Sequence, residues 1–378
     1  MSTLFASPLG VLTLLSLVAA LAFEVERRSG WRLFKWLPAY IWIYLIPLLL
    51  TNLGVTPARS PAYDVLDTYA LPMLLTLLLI GLPLRAAVRS LGRGMVVMLA
   101  GSLGVVAGGV VSYLLVAPML GAGAWKGFGA LAGSWTGGTA NMAATAEALK
   151  IDAAWYGVAV LADSLIFTLW LPFLLYTKRF TWAGGQDVVV TRSNSQEPDA
   201  PANHTDLLIL VSVAFAVMWG SGQVARLIPE IPPFLTRSTV RILLITTISL
   251  WLSFTPLSRL RGKQSFAMAL LYLFVASMGA RADLSTVAQG APWFFAAALL
   301  WIAIHGLFVF GAARLVRAGP ATAAMGSAAN IGGVASAVLV ASHHDRSLVP
   351  AGILMAITGF ALGNYMALIT AHLCRMLG

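Results

Sequence analysis

Charge is scarce in this sequence. Charged residues make up 10% of 378 positions, and acidic ones number only 14. A soluble domain carries roughly 25% charged residues, so a chain that is 59% hydrophobic could not cover its surface with water-compatible groups. A bilayer is the solvent that fits. Strict polar–apolar alternation is also missing, which excludes a membrane β-barrel and leaves helices as the way to satisfy the backbone in lipid. The single cysteine, Cys374, excludes an intrachain disulfide and any Cys-based metal cluster. Catalytic signatures are absent as well. Ser134 and Ser327 follow glycines but lie in no Gly-x-Ser-x-Gly elbow, and there is no His-Glu-x-x-His. Gly262-Lys263-Gln264-Ser265 has Leu257 where a phosphate loop needs glycine. Neither an ATP-driven motor nor an enzyme, including a membrane-embedded one, is expected. The net charge of +10 comes from basic residues scattered between apolar runs, which suits the positive-inside rule and not a nucleic-acid face.

What is present is a series of apolar runs near twenty residues long. They fall at about 8–23, 32–53, 65–84, 94–118, 124–150 and 153–177, then 205–228, 239–258, 264–281, 288–313, 320–343 and 347–373. The first run imitates a signal peptide, ending in Ala20-Leu21-Ala22. Residues 1–7 carry no basic side chain, however, and Arg27, Arg28, Arg32 and Lys35 follow at once, which favours a retained helix. A polar stretch from Thr181 to Asn203 divides the chain into residues 1–180, a linker at 181–204 placed in the cytoplasm, and residues 205–378.

The fifth run of each half is broken. Gly133-Ser-Trp-Thr136-Gly137-Gly138-Thr139-Ala-Asn141 interrupts 124–150, and Gly326-Ser327-Ala-Ala-Asn330-Ile-Gly332-Gly333 interrupts 320–343. Glycine mixed with Thr and Asn is poor material for an uninterrupted lipid-facing helix, and matching breaks in two halves mark a transporter core. Basic residues decide between full crossings and re-entrant hairpins. With hairpins and an outside N-terminus, only Arg59, Lys126, Lys150, Arg226, Arg237, Arg241, Arg281 and Arg375 of the 24 basic residues face outward. With full crossings the inner bias nearly vanishes, so hairpins are favoured. Each half then crosses an odd number of times and the halves are inverted repeats. The expected fold is an all-α integral membrane protein with about ten transmembrane helices and two re-entrant hairpins. It is multi-pass in the cell (inner) membrane with both termini outside.

Half-helices that end inside a membrane aim free N–H groups at anions and free carbonyls at cations. Thr136, Gly137, Gly138, Thr139 and Asn141 in the first break, and Ser327, Asn330, Gly332, Gly333 and Ser336 in the second, are therefore candidate substrate and ion contacts. Close helix packing by small residues is the bland alternative; it explains glycine but not an asparagine in both halves. Asp163, followed by Ser164, lies well inside the sixth run, where a carboxylate costs roughly 2.5–3.5 kcal/mol. It is read as a cation or proton site, against a structural cap for the hairpin. Asp163, Asn141 and Asn330 are the candidate Na+ ligands, and Asn364 with Thr358 is their counterpart in the last run. His305 is read as a packing histidine before a proton relay, and Glu147 as a surface partner of Lys150. Tryptophan and tyrosine are expected mainly at span ends.

The runs Gly133-Ser-Trp-Thr-Gly-Gly-Thr-Ala-Asn-Met-Ala-Ala, with Glu147-Ala-Leu after them, and Ala329-Asn-Ile-Gly-Gly resemble a membrane family known as domain of unknown function 819. The likeness extends over essentially the whole chain, including Ala162-Asp163-Ser164. Family members often have a proline after the second motif, where this chain has Val338-Leu339-Val340. The family looks distantly like the glutamate/sodium and citrate/sodium symporters. That kinship implies elevator-type movement of a core against a scaffold, Na+ coupling and a homodimer. The combined expectation is a secondary transporter of a small organic, anionic solute. It is driven by Na+ in preference to H+, works without a cofactor, and has the bilayer and the solute as its partners. A passive channel, or a sensor or scaffold that kept the transporter fold, is the alternative.

Overall fold

The computed structural model describes residues 5, 7–31, 33–36, 39–182, 185–190, 203–231, 236–282 and 284–378; nothing is drawn from the side chains at 35, 36, 85, 86, 88 and 284–290. Most of the polar linker, including Arg192, lies outside the described residues, as does Arg32. Every apolar run is helical. The first half contains α1 (Pro8–Ser29), α2 (Leu33–Trp36) and α3 (Ala39–Asn52). It continues with α4 (Pro61–Val65), which passes through a π-turn at Leu66–Ala70 into α5 (Leu71–Ile80), then α6 (Leu84–Ser90) and α7 (Arg93–Val116). It ends with α8 (Ala124–Gly137), α9 (Thr139–Leu149) and α10 (Ala153–Tyr176). The second half holds α11 (His204–Leu227), α12 (Arg237–Leu252), α13 (Lys263–Arg281), α14 (Leu284–Leu315), α15 (Pro320–Ile331), α16 (Gly333–His344) and α17 (Val349–Leu377). Seven helical segments are long and apolar enough to cross a membrane: Pro8–Ser29, Pro61–Ile80, Arg93–Met119, Ala153–Arg179, His204–Leu227, Ala291–Leu315 and Arg346–Leu377.

Packing sorts these helices into two sets. In one, α3 packs on α1 and α13, and α5 on α11, α12 and α13. In the other, α7 packs on α14, α17 on α7 and α8, and α10 on α8 and α14. The α7–α14 seam depends on a stripe of glycines at 101, 104 and 108. A Cβ added at Gly104 would lie 2.7 Å from the Phe308 Cβ, and one at Gly108 2.6 Å from the Trp301 ring. Small residues one turn apart let helices approach without a hydrophobic drive between them. Trp301 then donates Nε1–H to the Val105 carbonyl at 2.7 Å. Trp135 and Trp301 are fully buried, so these two tryptophans serve the core and not the expected interfacial belt.

Both glycine-rich breaks are real interruptions. Gly138 has φ +88° and separates α8 from α9. Gly332 and Gly333, the latter at φ +67°, separate α15 from α16. Side chains rarely adopt either positive φ, so glycine is needed there. Across the first break the chain folds back: a Cβ at Gly133 would lie 3.0 Å from Thr145 Oγ1, twelve residues on. A continuous helix would hold those positions about 18 Å apart. α15 and α16 likewise pack on each other.

The two hairpins are rooted at opposite ends of the bundle. At the root of the first, Lys126 donates to the Lys150 carbonyl at 3.0 Å, and Arg375 lies 5.0 Å from the Trp125 ring. At the root of the second, the His343 carbonyl accepts from Lys178 at 2.6 Å. α10 joins these ends, and its 24 residues rise about 36 Å. The described start of the linker is tied to the second root. Gln186 bridges to Ala318, and Asp187 Oδ1 accepts from the Thr322 backbone N–H at 2.8 Å in the first turn of α15.

Because Gly104 touches Phe308 while Gly220 on α11 has open space around it, leucine should have opposite effects at the two. Gly104→Leu is expected to lower stability by about 1–3 kcal/mol through overpacking. Gly220→Leu should stay within about 0.5 kcal/mol. Thermal unfolding of the detergent-purified variants checks the difference.

Candidate functional site

Near the middle of α10 both hairpin tips come together around a cavity of about 670 Å³. The first tip contributes Ser134, Gly138 and Thr139; the second contributes Ile331, Gly332, Ala335 and Ser336. α10 supplies Asp163, Ser164 and Thr168 with an apolar wall of Phe167, Leu171, Pro172 and Leu175, and α3 supplies Tyr40. A Cβ at Gly332 would lie 2.6 Å from the Phe167 ring, so the second tip rests directly on α10.

Asp163 is the only acidic residue of the lining, and no lysine or arginine joins it. Its side chain is held by two donors from the last turn of α8. Ser134 Oγ donates to Oδ2 at 3.0 Å and Trp135 Nε1 to Oδ1 at 2.9 Å. A carboxylate 7% exposed with two directed donors is fixed in position, and it still borders open space. The structural-cap and binding readings are thus both served by one residue. Beside it, Ser164 Oγ meets the Tyr40 hydroxyl. The N-termini of α9 and α16 both start at cavity residues, Gly138–Thr139 and Gly332. Their first N–H groups, which lack helical partners, put partial positive charge at the two tips.

Of the candidate residues, Gly138, Thr139, Asp163, Ser164, Gly332 and Ser336 line this cavity. The others do not. Thr136, Gly137 and Asn141 turn to the opposite face of the first tip, against α17, where Asn141 Nδ2 donates to the Phe360 carbonyl at 3.0 Å. Asn364, fully buried, donates Nδ2 to Thr246 Oγ1 on α12 at 2.8 Å. Ser327 and Asn330 belong to a saturated network. Asn330 Nδ2 donates to the Met98 and Gly326 carbonyls at 3.1 and 3.2 Å, and its Oδ1 accepts from Ser102 at 2.9 Å. Ser327 Oγ accepts from Trp170 Nε1 at 2.8 Å and contacts His305 Nε2 at 2.9 Å.

His305 Nδ1 faces the Gly101 carbonyl at 3.0 Å. A carbonyl can only accept, so Nδ1 carries the proton, and Ser327 donates to Nε2. This neutral, doubly satisfied imidazole locks α14 to α7 and α15. Gly333 sits at the start of α16 beside the cavity, and Thr358 bonds its own helix through the Leu354 carbonyl at 3.0 Å. Glu147 pairs with Lys150, whose side chain is exposed.

Sequence reading did not single out Tyr40, Trp135 or Trp170. Each lies outside its half's break motif or reads as a generic aromatic. The available signal was Trp135 lying between Ser134 and Thr136 in a stretch otherwise made of small residues.

Removing the Asp163 carboxylate should strand the Trp135 and Ser134 donors. Asp163→Ala is expected to destabilise by about 1–3 kcal/mol, and Asp163→Asn by less because its amide oxygen still accepts one bond. Melting temperatures of the two variants against the unaltered protein provide the check.

Comparison with known proteins agrees with this architecture without assigning a reaction. An uncharacterized membrane protein, YjcL, from Bacillus subtilis (strain 168) is 27% identical over 376 residues, covering 92% of each chain. The family model described as "Protein of unknown function (DUF819)" matches residues 13–377. With almost its full length matched, the chain belongs to this DUF819 family of membrane proteins.

Proposed function

We propose that this protein is a secondary transporter that moves a small organic solute through the cavity between the hairpin tips, coupled to a cation. The observation that carries the reading is the meeting of two broken helices, rooted at opposite ends of the bundle, at one cavity halfway along α10. An inverted pair of re-entrant hairpins gives one central site two mirror-related approaches, which is what alternating access requires. On this reading α3, α12 and α13 join the seven longer segments to make ten crossings, both termini face outward, and the halves are inverted repeats in the inner membrane. The set containing both hairpins is the moving core, and the set built from α1, α3, α5, α11, α12 and α13 is the scaffold. No chemistry on the solute is part of this reading.

The solute is a carboxylate with an apolar body. Its acid group lies between the N-terminal ends of α9 and α16, near Thr139 and Ser336, and its body lies on Phe167, Leu171 and Ile331. Asp163 faces the same space with opposite charge, so a coupling cation or proton beside it lets both charges occupy the site. Na+ is preferred to H+ because hydroxyl and carbonyl oxygens surround the tips.

Purified protein in liposomes tests this. Uptake from a panel of radiolabelled carboxylates and amino acids should rise with an inward Na+ gradient. It should fall at least tenfold in Asp163→Asn and collapse with a sodium ionophore. If no member of the panel stabilises or enters, and Asp163→Asn behaves as the parent, coupled transport is wrong. Solute movement without saturation and without dependence on any cation gradient would point to a channel.

A further inference from the structure

The two hairpins differ in how well their buried polar groups are satisfied. In the second, Ser327 and Asn330 have partners on every side. In the first, Thr136 Oγ1, Asn141 Oδ1 and Thr145 Oγ1 have none, and neither has Asn364 Oδ1 on the adjoining α17. All four residues are at most 1% exposed. A buried acceptor without a donor costs about 1–3 kcal/mol, so four in one seam is a heavy penalty for a hairpin whose twin has no such deficit. The orientation of Asn141 is not arbitrary: its Nδ2 must face the Phe360 carbonyl, which can only accept, and this leaves Oδ1 pointing away.

The four oxygens belong to one place. The Asn141 amide is wedged against α17 beside Asn364, for a Cβ at Gly363 would lie 2.7 Å from Asn141 Cγ. A Cβ at Gly137, next to Thr136, would lie 2.8 Å from the Gly359 carbonyl oxygen of α17. Thr145 is one turn beyond Asn141 on the same face of α9 and lies against Gly133. α8 also ends here, so its last-turn carbonyls have no helical partner further along, and the negative end of its dipole points into the seam.

We infer that this seam, on the face of the first hairpin turned away from the cavity, is a dehydrated Na+ site formed by Thr136 and Asn141 and completed by Asn364 and the last-turn carbonyls of α8. This rests on the cation-coupled reading and gives the cation its place. The ligand set is neutral oxygen, which suits a hard monovalent ion. Among the described residues no three His, Cys, Asp or Glu side chains gather to hold a metal, so a transition metal finds no ligands. Counter-charge comes from Asp163, held by Ser134 and Trp135 of the same α8 turn on its other side.

The arrangement also explains coupling. A cation in the seam ties α8, α9 and α17 together and fixes the angle of the tip, and with it the α9 N–H groups that face the cavity. Solute then binds to an ordered tip, and by linkage solute tightens the cation equally.

The test is thermal unfolding of the full-length purified protein in NaCl against choline chloride at constant total chloride, with equilibrium binding of radioactive Na+ alongside. The parent should be stabilised by NaCl and not by choline chloride. Thr136→Val and Asn364→Ala should raise the half-saturating Na+ concentration at least tenfold. Thr136→Ser, which keeps the hydroxyl, should stay within threefold, and so should Ser336→Ala, which alters only the cavity side. If both hydroxyl- and amide-deleting variants saturate with Na+ like the parent, the seam is not the site although cation coupling survives. If the parent neither binds Na+ nor is stabilised by it, the site is wrong for Na+ whatever the uptake assay shows. Should Thr136→Val fail to fold, Asn364→Ala and the direct binding measurement on the parent carry the decision.

Discussion

A backbone that stops being helical inside an apolar bundle must find new partners for the groups it frees, because lipid offers none. The packing around the hairpins follows from that constraint. The breaks at Gly138 and at Gly332–Gly333 occur where protein, not lipid, lies on every side. The tips rest on α10, and their arms are enclosed by α7, α14 and α17. Asp187 extends the same logic to the root of the second hairpin by capping the first turn of α15 from the linker. The cavity is the space left where the two tips do not quite meet.

The halves solve the constraint differently. The second hairpin is saturated: Asn330, Ser102, Ser327, His305 and Trp170 pair among themselves and with main-chain carbonyls. The first leaves several oxygens without donors in a seam that α17 closes. A saturated buried network specifies one geometry, whereas an unsaturated one is waiting for a donor or a cation. A symmetric sequence pattern has thus produced an asymmetric pair. That is the expected outcome when one arm anchors and the other responds.

Much of the fold was legible because its signals are strong and local. Run lengths gave the helices, and glycine clustering located both interruptions. The deep burial of Asp163 was legible from its cost alone, since a carboxylate in the middle of α10 needs a reason. The division of labour between Asn141 and Asn330 was not legible, because both are asparagines in matching motifs. Only the neighbours, Met98 and Ser102 for one and Phe360 and Gly363 for the other, separate them, and these lie about 200 residues away in the chain or more. Trp135 and Trp301 misled for a related reason: composition places tryptophan at interfaces, while the glycine stripe of α7 makes room for it in the core.

The energetics of the seams show where motion is cheap. Within the hairpin-bearing set, α7 and α14 interlock through glycines whose every added atom would collide, and sliding them would open cavities along the whole seam. Between the two sets, polar contacts are few and simple. Tyr44 donates to the Ala153 carbonyl at 3.0 Å, Thr239 to the Ala148 carbonyl at 3.1 Å and Asn364 to Thr246 at 2.8 Å, and Thr247 pairs with Tyr365 at 2.8 Å. Each such bond contributes about 0.5–1.5 kcal/mol net, and hydroxyl donors can be re-paired one residue or one turn further along a neighbouring helix. Two of the four end on carbonyls of the first hairpin's return arm and of the start of α10. Displacement of one set against the other therefore leaves the tips and their cavity intact while changing which end of the bundle they face. Rearrangement within the hairpin-bearing set would destroy the cavity first.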